Sequence, residues 1–249
     1  MENYGPGTYG ALNADVYDDW HATLDPTDAV RRLAELIASG PAGPVLELAV
    51  GTGRVTIPLA AEGVDLRGID ASEEMVARLR AKPGGERIPV AIGDMADVDP
   101  GTDERFAMVF VVFMTFFFLL TQEEQLRCFA NVAERLLPGG RFVLETPVPD
   151  LARYPRDQNL EVHRLGLDHV RLTAVVHDPV AQRFDGHHVL ITNEGIRLAP
   201  ASMRYAWPGE LDLMARLAGL ERRHRWGGWN HEPFRGQGNC VTVYEKPKS

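Results

Sequence analysis

Cysteine is scarce: the 249 residues contain two, Cys128 and Cys240. The first falls in an expected helix and the second in an expected strand, with no metal-ligand spacing between them. That excludes a disulfide framework and a cysteine-rich zinc site, and it points to two buried reduced thiols. Positive charge is also in deficit, 26 Lys and Arg against 35 Asp and Glu, a formal net charge of −9. A phosphate backbone would repel such a chain, so nucleic acid is not an expected partner. Long apolar runs are missing as well. The longest, Phe106 to Leu120, is 15 residues broken by Thr115, too short to cross a bilayer as a helix. The opening MENYGPGTYG has no basic region and no apolar core, unlike a signal peptide. A soluble, cytoplasmic protein without a membrane partner is the expectation. There is no internal repeat and no low-complexity tract.

What is present is an ordinary globular composition, 45% hydrophobic and 24% charged, long enough for one large domain or a core with an insertion. Asp25-Pro26-Thr27-Asp28 starts a helix, with Asp25 as cap and proline in first position. Val30, Leu33, Ala34 and Ile37 share its apolar face, and Gly40 stops it. Val45 to Leu48 is a short buried strand. After a glycine turn a helix runs to Gly63, with Pro58 expected in or near its first turn or at a kink. Leu66 to Asp70 is strand two, and Ser72 caps the helix Glu73 to Arg80. Ile88 to Ile92 and Ala107 to Phe113 are strands three and four. Thr121 and Glu124 form a capping box for the helix Gln122 to Leu137, which Pro138-Gly139-Gly140 ends before strand five, Arg141 to Thr146.

Strands separated by helices predict a mostly parallel α/β sheet covered on both faces. From 151 to 207 the rhythm changes to strict alternation, Val170 to Val176, Phe184 to Thr192 and Ile196 to Tyr205, which predicts an antiparallel insertion. A helix from Pro208 and two strands, Glu221 to Trp226 and Cys240 to Glu245, close the chain. The expected organisation is a core over 1–150, the insertion over 151–207, and a C-terminal segment over 208–249 that completes the core sheet.

A parallel sheet holds ligands at the carboxyl ends of its strands, near the point where strand order reverses. Four features fall there. Gly51 and Gly53 let a ligand approach the backbone. Asp70 ends strand two, 19 residues after Gly51, where a carboxylate can take both hydroxyls of a ribose. Asp94 follows strand three and can accept from an adenine amine. Phe113 ends strand four. Glu47 lies beside the glycine turn, and Thr56 stands where a dinucleotide fingerprint has its third glycine. A carboxylate in the cradle repels a pyrophosphate and suits a ligand carrying an ammonium and a sulfonium. A nicotinamide-dependent oxidoreductase is therefore the weaker alternative.

Leu46-Glu47-Leu48-Ala49-Val50-Gly51-Thr52-Gly53 resembles the first motif of class I S-adenosylmethionine-dependent methyltransferases. Gly68 to Met75 resembles the second and Gly93-Asp94-Met95 the third, while Leu136 to Val143 resembles the segment before strand five. Ala49 and Val55 replace two of the family's glycines. The resemblance implies a Rossmann-like, mostly parallel sheet with one antiparallel strand and S-adenosyl-L-methionine as cofactor. It implies that Glu47, Ala49, Gly51 and Gly53 form the cradle and that Asp70 and Ala71 meet the ribose. Met75, Asp94, Met95 and Phe113 then surround the adenosine. Asn13 to Trp20 is similar to the aromatic N-terminal lid of the small-molecule members, so Tyr17 and Trp20 are expected to close over the cofactor. A protein of the same fold that cyclises or regulates is the other alternative.

The signature of base-amine methylases, Asp or Asn-Pro-Pro-aromatic, is absent, and Phe113-Met114-Thr115-Phe116 stands in its place. The expected acceptor is a small organic molecule carrying N or O, as in actinobacterial natural-product and amino-sugar methyltransferases. Phe116 to Leu120 is a buried helix start or a pocket wall. No metal is expected: His187 and His188 are adjacent in a strand and point to opposite faces, and His163, His169 and His177 lack ligand spacing. The insertion and the aromatic stretch Arg225 to Phe234 are expected to roof the acceptor pocket, which makes His231 and Tyr205 candidate bases. A homodimer is compatible with this layout.

Overall fold

The structure, a computed structural model, describes Met1 and residues 3–248. In chain order the elements are α1 (Thr8–Trp20), α2 (Thr27–Ala38), β1 (Val45–Leu48), α3 (Thr56–Ala61), β2 (Leu66–Asp70), α4 (Glu73–Arg80), β3 (Val90–Ile92), β4 (Phe106–Val111), α5 (Gln122–Arg135), β5 (Leu136–Pro147), β6 (Gln158–Leu165), β7 (His169–Asp178), β8 (Arg183–Thr192), β9 (Gly195–Arg204), α6 (Pro208–Leu217), β10 (Glu221–Trp226) and β11 (Asn239–Glu245). Seven strands form one sheet in the order β3-β2-β1-β4-β5-β11-β10, and β6 to β9 form a second, four-stranded antiparallel sheet. Only β11 runs against its neighbours in the large sheet. The expected Rossmann-like architecture and its antiparallel insertion are both present. Among the described residues, no helix is long and apolar enough to cross a membrane.

Local chemistry accounts for the elements. Ser72 Oγ accepts from the Met75 amide at 3.2 Å and starts α4. At α5, Thr121 Oγ1 accepts from Glu124 N while Glu124 Oε2 accepts from Thr121 N, at 3.1 and 2.9 Å. A cap of this kind stabilises a helix by about 1 kcal/mol. Strands β1 and β4 are buried on both faces, as a central parallel pair requires. On one side α5 and α6 pack a cluster in which Phe129 stands edge-on to Phe116, Phe142 and Tyr244. On the other, α2 and α3 bury Leu33 and Leu59 against Val45, Phe110 and Val143.

The differences from expectation have identifiable causes. Helix α2 begins at Thr27, with Pro26 as cap residue; Asp25 Oδ1 still accepts from the Thr27 amide at 2.9 Å. Pro138-Gly139-Gly140 lies inside β5, because Leu136 turns extended and pairs with Phe106, and a register shift before Met108 absorbs the extra residues. Strand β4 stops at Val111, since Phe113 and Met114 both take φ of 56°. Strand β6 has no counterpart in the expectations. It is an exposed edge strand, QNLEVHRL, whose polar residues hide its period.

Candidate active site

The glycine turn after β1 is shaped by left-handed backbone. Ala49, Gly51 and Gly53 have φ of 57°, 56° and 86°. A Cβ at Gly51 would meet no protein atom within 4 Å, so the backbone there borders open cavity. Ala49 occupies a conformation that costs an L-residue roughly 1–2 kcal/mol, the physical reason a glycine is common at that position. Asp70 ties the turn to the next one: Oδ2 accepts from Gly51 N at 2.7 Å and Oδ1 from Ser72 N at 2.8 Å. Burial raises its carboxyl above the ordinary range, against the pull of those amides. Asp94 Oδ1 accepts from Ala96 N at 2.9 Å, and desolvation raises this carboxyl too.

Helix α1 covers the turn. Gly10 allows it to lie against α4, where a Cβ would come within 2.4 Å of Ser72 Cβ. Asp18 Oδ1 accepts from Thr52 Oγ1 at 2.6 Å and from Lys82 Nζ at 2.9 Å, latching the helix to the glycine turn. Arg197 of β9 grips Asp15 with both guanidinium nitrogens at 2.6 Å, latching it to the insertion. Opposite, Phe113 N donates to Glu145 Oε2 at 2.8 Å and Met114 N to Glu145 O at 3.1 Å. This carboxylate on β5 holds the left-handed Phe113-Met114 pair against the cavity.

These pieces enclose one cavity of about 430 Å³. Around the glycine turn and the strand ends it is lined by Ala49, Gly51, Asp70, Ala71, Met75, Asp94, Met95 and Phe113. It is lined also by Tyr4, Tyr9, Tyr17 and His21 of the N-terminal segment and by Phe118, Leu119 and Leu120 after β4. Tyr154, His163, Thr173, Phe184 and His188 of the insertion complete it. Phe116 and Phe117 are core, so the apolar run divides between core and wall. Among the described residues, the buried Tyr4 Oη and His21 Nε2 have no hydrogen-bond partner. Burial and the nearby Arg54 hold His21 down to about 4, so its imidazole is neutral. Among the described residues, no three His, Cys, Asp or Glu side chains converge as metal ligands.

Five expected site residues lie elsewhere. Gly53 shapes the turn, donating to Val50 O, without lining the cavity. Trp20 turns its ring edge to His188 at 5.8 Å, outside the lining. Glu47 is buried behind the turn, accepting from Thr56 Oγ1. Tyr205 is buried with its hydroxyl 3.1 Å from His177 Nε2, and burial raises the phenol, which disfavours a base. His231 is exposed and packs on Trp226 at 4.5 Å. Its loop lies on α2, where Arg32 Nε donates to Trp229 O at 3.0 Å and Asn230 bonds Asp28 at 2.7 Å. With β11 inserted between β5 and β10, β10 lies one strand farther from the cavity than a direct neighbour of β5 would.

The residues missed differ in how visible they were. Tyr9 and His21 stand eight residues before and four after the expected Tyr17, a spacing that gives one helix face. Thr173 and His188 have no local signal, since only the β7–β8 register makes them partners.

The methyltransferase domain family matches residues 45–140. The CcbJ methyltransferase from Streptomyces caelestis is 40% identical, with a TM-score of 0.87, the match covering 98% of this chain and all of that one. Cypemycin N-terminal methyltransferase from a Streptomyces species is 26% identical over 96% of this chain and 97% of its own length. The S-adenosylmethionine-bound amino pentose methyltransferase of calicheamicin biosynthesis, from Micromonospora echinaspora, has a TM-score of 0.64 at 21% identity, covering 98% and 99% of the two chains. The chain therefore belongs to the class I S-adenosylmethionine-dependent methyltransferases, close to the actinobacterial natural-product and amino-sugar enzymes, with S-adenosylmethionine as its cofactor.

Proposed function

We propose that the chain methylates an amine nitrogen of a small natural-product acceptor held between α1 and the insertion sheet. The carrying observation is the part of the cavity wall around His21, Phe113 and Arg54. The neutral His21 imidazole stands 5.4 Å from the Phe113 ring, and the cationic Arg54 guanidinium lies 5.1 Å from the same ring. The burial and nearby cation that hold His21 neutral act in the same direction on an amine beside it, favouring the nucleophilic form. Relatives with named acceptors, the cypemycin N-terminus and amino sugars, support nitrogen.

The residues fit the cofactor. Asp70 offers carboxylate oxygens to ribose hydroxyls, Asp94 has Oδ2 free of hydrogen bonds for an adenine amine, and Gly51 leaves the backbone open to the methionine portion. When bound, S-adenosylmethionine supplies a methyl carbon already activated by the sulfonium. The protein's part is positioning and exclusion of water: α1 and the insertion close the cavity, while Phe113 and Met114, held by Glu145, set its floor.

S-adenosylmethionine and S-adenosylhomocysteine should stabilise the protein by roughly 2.7 kcal/mol at 100-fold excess over Kd. That is about 5–10 °C in Tm for a chain this size, and NAD should give no shift. Incubation with S-adenosylmethionine and two amine probes, L-prolinamide and 3-amino-3-deoxyglucose, should release S-adenosylhomocysteine. Turnover only with hydroxyl acceptors would overturn the nitrogen assignment.

A second copy of the chain is the occupant that suits the outer face of the insertion sheet. Leu160, Val162, Val176, Ile196 and Leu198 point away from the cavity, each more than half exposed. Three ten-residue strands and one of eight present a face of about 600 Å², close to the roughly 800 Å² per partner of a standard interface. A face pairing with itself about a two-fold axis closes as a dimer. Sedimentation should show a wild-type dimer at micromolar concentration and a folded Leu198→Glu monomer. A wild-type monomer would remove this reading.

A further inference from the structure

Three side chains on the cavity face of the insertion are joined in a line across three strands. His163 Nε2 lies 2.7 Å from Thr173 Oγ1, and Thr173 Oγ1 lies 2.9 Å from His188 Nδ1. Thr173 and His188 are direct cross-strand partners. His163 is the unpaired residue at the β6–β7 irregularity between Val162 and Arg164. A bulge of this kind re-aims one side chain, here across the strand onto Thr173. All three residues border the cavity, and exposure rises along the line: His188 is half-buried and His163 is exposed to solvent. No hydrogen bond to His188 Nε2 occurs among the described residues.

We propose that His188, Thr173 and His163 form the path by which the proton released on methylation leaves the acceptor nitrogen for solvent. This rests on the amine reading above. In the transfer, the nitrogen lone pair makes the new N–C bond and the C–S bonding pair returns to sulfur. The methylated nitrogen is then left with one surplus proton. His188 Nε2 accepts it and releases the Nδ1 proton to Thr173 Oγ1. The hydroxyl proton passes to His163 Nε2, and the exposed ring gives up its Nδ1 proton to water.

The hydroxyl makes the path directional. It carries a single proton, so it donates to one imidazole while accepting from the other. The groups facing His188 keep its ring ready to accept. They are His163 from β6, Arg171 from β7, its neighbour His187, and from the lid Trp20, with His21 just beyond. Burial and the cationic members of this set lower the imidazole from its ordinary value, so it starts neutral. A role confined to sheet stability would need neither the exposed end nor the uncommitted nitrogen on the cavity side.

Thr173→Val keeps shape and removes the hydroxyl; Thr173→Ser restores it. With L-prolinamide and 3-amino-3-deoxyglucose, Thr173→Val should lower kcat by about tenfold or more, leave KM within about twofold, and Thr173→Ser should recover the loss. Titration of the unliganded protein, followed by NMR of ring-labelled histidine, supplies a second reading. The His188 ring nitrogens should titrate differently in Thr173→Val from the wild type, because the hydroxyl bonded to Nδ1 is gone. Unchanged kcat in Thr173→Val, or identical titrations in the two proteins, would overturn the path. If the wild type methylates neither probe, the amine reading fails by itself, and the titrations still decide whether the three residues act as one chain.

Discussion

Asp70→Ala should weaken S-adenosylmethionine binding by at least about tenfold, roughly 1.4 kcal/mol. Hydrogen bonds from ribose hydroxyls to a carboxylate contribute about 1.5–3 kcal/mol each before desolvation losses. The strand-end position by itself suggests a carboxylate facing the cleft, removable at little cost to the unliganded fold. The structure adds a second role. Asp70 is 7% exposed and bonds Gly51 N and Ser72 N, so it also joins the two turns of the cradle. Its loss strands two backbone donors, at about 1–3 kcal/mol for a buried unsatisfied group, partly offset because the raised carboxyl was itself costly to bury. An unliganded Tm drop of about 2–6 °C is expected. Asp70→Asn retains one acceptor and should bind better than the alanine variant. Calorimetric titration with parallel melting curves separates the two effects. Wild-type affinity in Asp70→Ala would remove the ribose assignment.

Glu47→Gln should make the protein more stable than wild type at alkaline pH. Glu47 is 2% exposed, with Thr56 Oγ1 donating to its carboxyl, and burial pushes that carboxyl from 4.5 up to about 8. The folded state then holds a proton that the unfolded state has lost between pH 4.5 and about 8. Because the folded state binds more protons there, the wild type loses stability as pH rises through that window and levels off above it. At about 1.4 kcal/mol per pH unit, the whole span amounts to a few kcal/mol at most. Glutamine mimics the protonated acid and does not titrate. The two proteins should match near pH 5, and the variant should melt about 5 °C or more higher at pH 9. Parallel melting curves from pH 5 to 9 would show that Glu47 is ionised throughout. With its carboxyl raised in this way, Glu47 does not carry at neutral pH the negative charge expected of it in the cradle.

The sequence by itself determined the α/β class, the strands that lead to the glycine turn, to Asp70 and to Asp94, and the turn from Ala49 to Gly53. These are local properties. Val45 to Leu48 is apolar because both faces of a central strand are covered, and Ser72 and Thr121 announce their helices within four residues. The insertion was visible through its period of two, which survives wherever one face is buried; β6 escaped because it is an edge strand.

Only the tertiary structure decided which side chains share a space. His231 and Tyr205 had the right chemistry, but a base must reach the acceptor. The order of β5, β11 and β10 carries His231 away, while the packing of β9 buries Tyr205 against His177. Conversely, His163, Thr173 and His188 are far apart along the chain and become neighbours through strand register and one irregular residue. Pairing between distant segments depends on sums of contacts over whole strands. No short stretch of sequence carries that sum, so the glycine turn and its carboxylates were legible in motifs, while the side chains that share the cavity with them were decided by the fold.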